Sequence, residues 1–206
     1  MYDTEVLIVG AGPTGLTLAI ELARRGIAFQ LIEVAEKPFG GSRGKGVQPR
    51  TLEVFHDLGV ADRIVSAGMP YPRLRVHLGL LSLPLGPMGG WHESSESIPY
   101  PNLWLVPQHR TEAILRERLA ELGHDVKFGT GFESLTQDGQ RVTVRLSTGE
   151  SLIAKYVVGC DGGHSTVRKA LEIRLEGKPL SDEPSFVADV EISDLDHATW
   201  HVWPLA

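Results

Sequence analysis

Gly10-Ala11-Gly12-Pro13-Thr14-Gly15 decides the fold. Before it, residues 5–9 form a short apolar, β-branched run that reads as a buried parallel strand. After it, Leu16, Ala19, Ile20 and Ala23 recur at helical spacing, and Arg24, Arg25 and Gly26 close the helix. Residues 28–34 then supply a second strand with Glu33 at its end. Strand, glycine turn, helix and strand make one unit of a doubly wound α/β fold. In such a unit Gly10 permits the tight turn, Gly12 lets a pyrophosphate approach the backbone, and Gly15 lets the helix lie close to the strand. Unpaired N–H groups and the positive end of the helix dipole face the phosphates. Glu33 lies 18 residues beyond Gly15, where a carboxylate accepts from a ribose hydroxyl and repels a 2′-phosphate. The expected nucleotide is therefore of the FAD or NAD kind, not NADP. A bare glycine triplet also occurs in plain strand–helix turns. The flanking strand, the helix and the terminal acid together favour the nucleotide.

Downstream residues bear on which nucleotide. An NAD domain would continue with a further strand–helix–strand unit directly after Glu33. Here residues 36–46 form a loop with four glycines and Arg43. A helix opened by Pro49 follows, with Leu52, Phe55 and Leu58 on its apolar face and Gly59 as its stop. Residues 108–122, preceded by Pro107, predict another helix, with Ile114, Leu115, Leu119 and Leu122 on one face. Residues 126–136, 141–147 and 150–154 read as three strands, with Asp138-Gly139 and Thr148-Gly149 as turns. Residues 156–159 read as a short buried strand running into Cys160-Asp161-Gly162-Gly163-His164-Ser165-Thr166-Val167-Arg168.

Composition narrows the function. The 206 residues suffice to bury about 70% of the surface that the unfolded chain exposes. A net charge of −6 disfavours nucleic acid as a partner. The single cysteine excludes an intramolecular disulfide and a thiolate metal cluster, so no metal is expected, and it suits a reducing cytoplasm. The N-terminus, Met-Tyr-Asp-Thr-Glu, is acidic where a signal peptide needs a basic start. The most apolar later stretch, residues 76–88, is broken by His77, Pro84 and Pro87, so no membrane span is expected. Glycine is in excess, and ten of the 23 glycines lie in residues 10–15, 40–46 and 159–163, where a dinucleotide would touch backbone.

Three segments together carry a resemblance. They are Gly10 to Gly15 with Glu33; Ser42-Arg43-Gly44-Lys45-Gly46 through Pro49-Arg50-Thr51-Leu52-Glu53; and Gly159-Cys160-Asp161-Gly162 through Arg168. With them the chain resembles the single-component FAD-dependent aromatic hydroxylases, the p-hydroxybenzoate hydroxylase family, in the branch acting on aromatic polyketides and rifampicin-type antibiotics. The resemblance implies an α/β fold: a Rossmann-like FAD-binding domain with a β-meander over residues 1–171, and the first strands of a β-rich substrate domain over residues 172–206. It implies that Gly10, Gly12, Thr14 and Gly15 hold the FAD pyrophosphate and Glu33 the adenosine ribose. Arg43 and Gln108 would contact the flavin side, and Phe132 would offer its backbone to the adenine. Asp161 would take part in binding FAD and in handling the nicotinamide donor. The implied activity is hydroxylation of a phenolic or polyketide aromatic with NAD(P)H and O2 through a flavin hydroperoxide.

Several of these residues also have plainer readings. Arg43 reads as a solvated loop charge or as a phosphate partner. Gln108 reads as a polar residue in the first turn of its helix, and Asp161-Gly162 as an ordinary turn. Cys160 reads as a small buried residue and His164 as local structure. Arg50 is either an exposed helix charge or a pocket residue. Trp91, Trp104, Trp200 and Trp203 are either core residues or the walls of a flat aromatic site. No residue is nominated as a catalytic acid or base, because the cofactor carries the difficult chemistry.

The chain departs from the family in one respect. Members carry a later Gly-Asp segment for the ribityl and pyrophosphate part of FAD, and this sequence contains no Gly-Asp dipeptide. Residues 172–175, 186–192 and 200–202 read as opening strands of the substrate domain. A second chain or a further C-terminal portion is therefore expected to complete the site, and weak FAD binding by these 206 residues alone. The competing readings are a non-catalytic FAD-binding module and a flavin- or NAD-linked dehydrogenase.

Overall fold

A computed structural model describes residues 2–41, 44–87, 90–177, 188, 190–196 and 198–204. Among them the chain begins with β1 (Thr4–Val9), α1 (Pro13–Arg24) and β2 (Phe29–Ile32). It continues through β3 (Gly46–Val47), α2 (Pro49–Asp57), α3 (Ala61–Ser66), β4 (Met69–Pro70), β5 (Arg73–Leu78), β6 (Leu81–Pro87) and β7 (Trp104–Leu105). Then come α4 (Gln108–Glu121), β8 (Val126–Lys127), β9 (Phe132–Gln137), β10 (Val142–Leu146), β11 (Ser151–Gly159), α5 (Thr166–Ala170) and β12 (Thr199–Val202). By contacts the chain groups into two compact units, Met1–Gly41 with Gln108–Asp182, and Ser42–Pro107 with Glu183–Ala206.

The first unit is built on a six-stranded sheet of order β8-β2-β1-β11-β10-β9. β1 is parallel to both of its neighbours, β2 and β11. A strand flanked and covered on both sides has no polar face, which is why five of the six residues of β1 are buried. Leu7 and Val9 point into a cluster with Ile32, Phe132, Val144, Leu146, Leu152 and Val167. Val6 and Ile8, also buried, face the opposite layer by strand alternation. α1 packs on β1, β2 and α4 with Gly15, Leu16, Ala19 and Ile20 buried, one stripe at helical spacing. Each fully buried Leu or Ile in these layers contributes roughly 1.5–3 kcal/mol.

Two expected strand boundaries differ. Residues 126–136 are not one strand: β8 and β9 are separated by Phe128-Gly129-Thr130-Gly131, where Gly129 and Thr130 bond to Ala35 and Glu33 instead of continuing a ladder. Residues 150–154 and 156–159 are not two strands but the single β11. Its residues 151–154 pair antiparallel with β10 and its residues 154–159 pair parallel with β1, so no turn is needed.

The second unit holds α2 and α3, with Leu52, Phe55 and Ile64 buried, and two three-stranded sheets of order β3-β7-β4 and β12-β5-β6. Residues 200–202 do form a strand, within β12, and it pairs in parallel with β5. Residues 172–175 do not. Glu172 has φ 57°, and Ile173 bonds back to the Arg168 carbonyl, so the segment closes α5. Of residues 186–192, positions 186, 187 and 189 lie outside the described residues, and the others are not strand.

Candidate dinucleotide site

The loop after β1 is fixed from both sides. Gly10 N–H donates to the Ile32 carbonyl at 2.8 Å, and Cys160 N–H donates to the Val9 carbonyl at 2.7 Å. Gly10 has φ +102°, and a Cβ there would lie 2.5 Å from the Cys160 carbonyl oxygen. A Cβ on Gly15 would lie 1.9 Å from the Gly10 carbonyl oxygen, so the helix reaches the strand only without one. Gly12 is the opposite case: its φ is −70° and nothing among the described residues lies within 4 Å of where its Cβ would stand. That open space is next to the helix start. Gly12 is the N-cap of α1, no side chain caps it, and the first turn carries no acidic residue. Pro13 occupies the first helical position, where a missing N–H costs nothing. The next N–H groups, of Thr14 and Gly15, precede the first intrahelical donor, Leu16 N–H to the Gly12 carbonyl at 3.0 Å. An uncapped N-terminus carries about half a positive charge and attracts anions.

Glu33 stands just past β2 with both carboxylate oxygens oriented. One accepts from Ala11 N–H at 2.8 Å, the other from Ala35 N–H at 3.1 Å. The carbonyl of Glu33 accepts from Thr130 N–H at 2.9 Å, which sets the start of β9 beside it. Phe132, the first residue of β9, turns its ring into the core and is 7% exposed, so only its backbone faces outward from the cluster.

Asp161 follows β11, with its backbone against Gly10. Its carboxylate accepts from the Ser165 hydroxyl at 2.6 Å, from Thr166 N–H at 2.6 Å and hydroxyl at 2.9 Å, and from Val167 N–H at 3.2 Å. Burial pushes the carboxyl up, but the donors of Ser165, Val167 and Thr166 outweigh it and hold Asp161 below the usual carboxylate range. Burial and then the Asp161 charge push the neighbouring Cys160 thiol up, so it stays protonated. Ser165 completes the turn by accepting from Arg168 N–H at 2.9 Å. The Asp161 side chain is thus engaged in starting α5. The Asp161…Ser165-Thr166 pattern before a helix is the sequence signal for this cap.

Gln108 opens α4, and its amide donates to Glu112 at 2.8 Å; Arg116 stands 3.7 Å from the same carboxylate. Arg43 lies outside the described residues. The structure therefore brings Gly10, Gly12, Thr14, Gly15, Glu33 and Asp161 together at the C-terminal edge of the parallel strands, with Phe132 beside Glu33. Among the described residues no group of three or more His, Cys, Asp or Glu side chains is placed to hold a metal.

These residues fit the adenosine diphosphate half of FAD: a backbone open at Gly12, an uncapped helix start for the phosphates, and an oriented carboxylate past the second strand. A family model described as an FAD binding domain matches residues 3–205. The chain belongs to this FAD-binding family. A flavin-dependent monooxygenase of Mycobacteroides abscessus is 47% identical to this FAD-binding chain over 204 residues, 96% of the chain and 43% of the relative. The 6-methylpretetramide 4-monooxygenase of Streptomyces rimosus is 41% identical over 177 residues, 84% of the chain and 31% of the relative. The crystal structure of the flavin-dependent monooxygenase PieE in complex with FAD and substrate matches with a TM-score of 0.74 and 31% identity, over 86% of this chain and 34% of that one. The chain thus spans less than half the length of these curated relatives. No helix among the described residues is long and apolar enough to cross a membrane.

Proposed function

We propose that this chain forms the dinucleotide-binding end of an FAD-dependent monooxygenase that hydroxylates a phenolic or polyketide aromatic with NAD(P)H and O2. The observation that carries the reading is the open backbone at Gly12 beside an uncapped helix start, flanked by two glycines that admit no Cβ. The relatives' names set the reaction class. In this reading the N–H groups of Thr14 and Gly15 bind the pyrophosphate, Gly10 and Gly15 hold the turn, and Glu33 accepts from the adenosine ribose. Glu33 is already held by Ala11 and Ala35, so it need not reorganise on binding. The Phe132 backbone faces the adenine, and Arg43 and Gln108 face the flavin. Asp161 acts through its backbone and by fixing the turn against Gly10, and its contact with the nicotinamide donor belongs to the same proposal. FAD, when bound, supplies the oxygen chemistry; the residues of this chain bind and orient it.

Residues 1–171 are assigned to the FAD-binding part and 172–206 to the start of the substrate-binding part. A second chain or a further C-terminal portion supplies the remaining contacts, and the cytoplasm is the compartment. The test is titration of the purified chain with FAD, followed by NAD(P)H oxidation with phenolic polyketides, with and without O2. Weak but saturable FAD binding is expected, and oxidation that requires both O2 and the aromatic once the remaining portion is supplied. FAD binding with no oxidation after that addition favours the non-catalytic module. Oxidation independent of O2 favours the dehydrogenase, and no flavin binding overturns the monooxygenase and the FAD-binding module.

A further inference from the structure

α4 carries a carboxylate where an apolar side chain is expected. Glu112, Leu115 and Leu119 lie along one buried stripe of the helix, at i, i+3 and i+7. Glu112 is only 8% exposed. Taking a carboxylate out of water is costly unless it is paired and hydrogen-bonded. Here one oxygen accepts from the Gln108 amide N–H at 2.8 Å, and the other stands 3.7 Å from the Arg116 guanidinium. The two partners sit one helical turn before and one turn after it.

A side-chain amide has two edges, a carbonyl that accepts and an NH2 that donates. A carboxylate has no proton to give. Glu112 therefore admits only the nitrogen edge of Gln108, and the Gln108 carbonyl is turned away from it. Where Gln108 stands follows from the topology. β8 is parallel to β2, and α4 reaches it through residues 122–125, so the last turn of α4 lies at the N-terminal edge of the parallel strands. The 14 residues of α4 span about 21 Å, and the helix packs along α1. Its first turn, with Gln108, thus stands at the C-terminal edge, the edge from which the dinucleotide loop leaves β1.

We propose that Glu112 is a positioning residue of the flavin site, fixing which edge of the Gln108 amide meets the dinucleotide. The inference rests on the reading that Gln108 faces the flavin. Glu112 acts through Gln108 and not by contact with FAD. An amide held in one orientation before FAD arrives removes an ordering cost from binding. Glu112→Gln keeps the shape and inverts the arrangement. Its carbonyl takes the place beside Arg116, a group that only donates, so its NH2 faces Gln108. Gln108 must then turn its carbonyl inward and its N–H groups outward.

A double-mutant cycle tests this: parent, Glu112→Gln, Gln108→Leu and the double variant are titrated with FAD, each with its thermal midpoint. Glu112→Gln and Gln108→Leu should each weaken FAD about tenfold, the loss of one hydrogen bond. The double variant should stay within about twofold of Gln108→Leu, because Glu112 then has nothing to orient. A Glu112 that served only the helix would weaken FAD equally in both backgrounds, and that additivity overturns the proposal. So does equal FAD affinity in parent and Glu112→Gln. Should Glu112→Gln fail to fold, Glu112→Met carries the same cycle, with a loss of at least about threefold that again vanishes beside Gln108→Leu. A parent chain that binds no FAD overturns the flavin reading itself and this inference with it, a result distinct from the other two.

Discussion

Residues 10–15 and residues 160–165 leave neighbouring parallel strands at the same edge of one sheet, and each loop runs into a helix. They touch: Cys160 bonds to Val9, and Gly10 sits against Cys160 and Asp161. What differs is where the helix N–H groups go. At α5 the chain satisfies its own donors, with Asp161 accepting from Thr166 and Val167 and Ser165 from Arg168. At α1 the cap is Gly12, and among the described residues no side chain accepts and the space over the backbone is open. Two similar topological positions therefore have opposite chemistry. The self-capped loop braces; the uncapped loop is left to an anion.

The comparison breaks most visibly at the brace. Gly15→Ala sets a Cβ 1.9 Å from the Gly10 carbonyl, a backbone clash that no rotamer relieves. It should cost about 3 kcal/mol or more, overpacking against rigid backbone. Urea unfolding reads this out, and a midpoint close to the parent's would show that the contact is looser than described. Asp161→Ala removes the acceptor of Ser165, Thr166 and Val167 and should cost about 1–2 kcal/mol, the usual loss for a helix cap.

That second loss should depend on pH. The folded carboxyl titrates below its ordinary value. Its contribution is therefore fully present above about pH 4, the usual carboxylate pKa, and fades as pH falls through the lower folded one. The stability gap between parent and Asp161→Ala should be flat from pH 7 to 5 and narrow below pH 4. A constant gap down to pH 2 would mean that the hydrogen bonds do not require the ionised form.

Glu33→Gln sharpens the comparison on the ligand side. One of the bonds from Ala11 and Ala35 is lost, for about 0.5–1.5 kcal/mol of stability. The charge that receives the ribose is also lost, so FAD affinity should fall about tenfold, in line with a charge-assisted hydrogen bond. Equal FAD affinity in parent and variant would remove Glu33 from the site.

The uncapped loop was legible in the sequence because its signals are local. Three glycines, a proline at the helix start and an acid at a fixed spacing all lie within 24 residues. α2 and α4 were legible from apolar period and flanking prolines for the same reason. In the sequence the brace shows only as a turn or a ligand segment, since Asp161 takes its bracing role through donors four to six residues on and through a contact with Gly10 from the far end of the chain. β5 and β6 were missed altogether. Pro84 and Pro87 argue against a strand, and although Leu81, Leu83 and Leu85 alternate with Ser82, Pro84 and Gly86, the three leucines are exposed, so the alternation marks no buried face. β12 was visible as a strand, but its partner β5 lies more than a hundred residues earlier, a pairing that no local pattern encodes. The merged β11 has the same origin: its neighbours on the two sides are set by tertiary pairing.

The smallest structural change asks the most of the account. Gly12→Ala has room for its methyl and a φ of −70° that alanine accepts, so its stability should stay within about 1 kcal/mol of the parent. The same methyl fills the space through which a pyrophosphate reaches the helix start. FAD titration of parent and Gly12→Ala, each with its thermal midpoint, is the direct measurement. Unchanged melting with FAD affinity reduced at least about tenfold is the predicted result for a blocked phosphate contact. Unchanged melting with unchanged FAD affinity would contradict the placement of the dinucleotide on this loop.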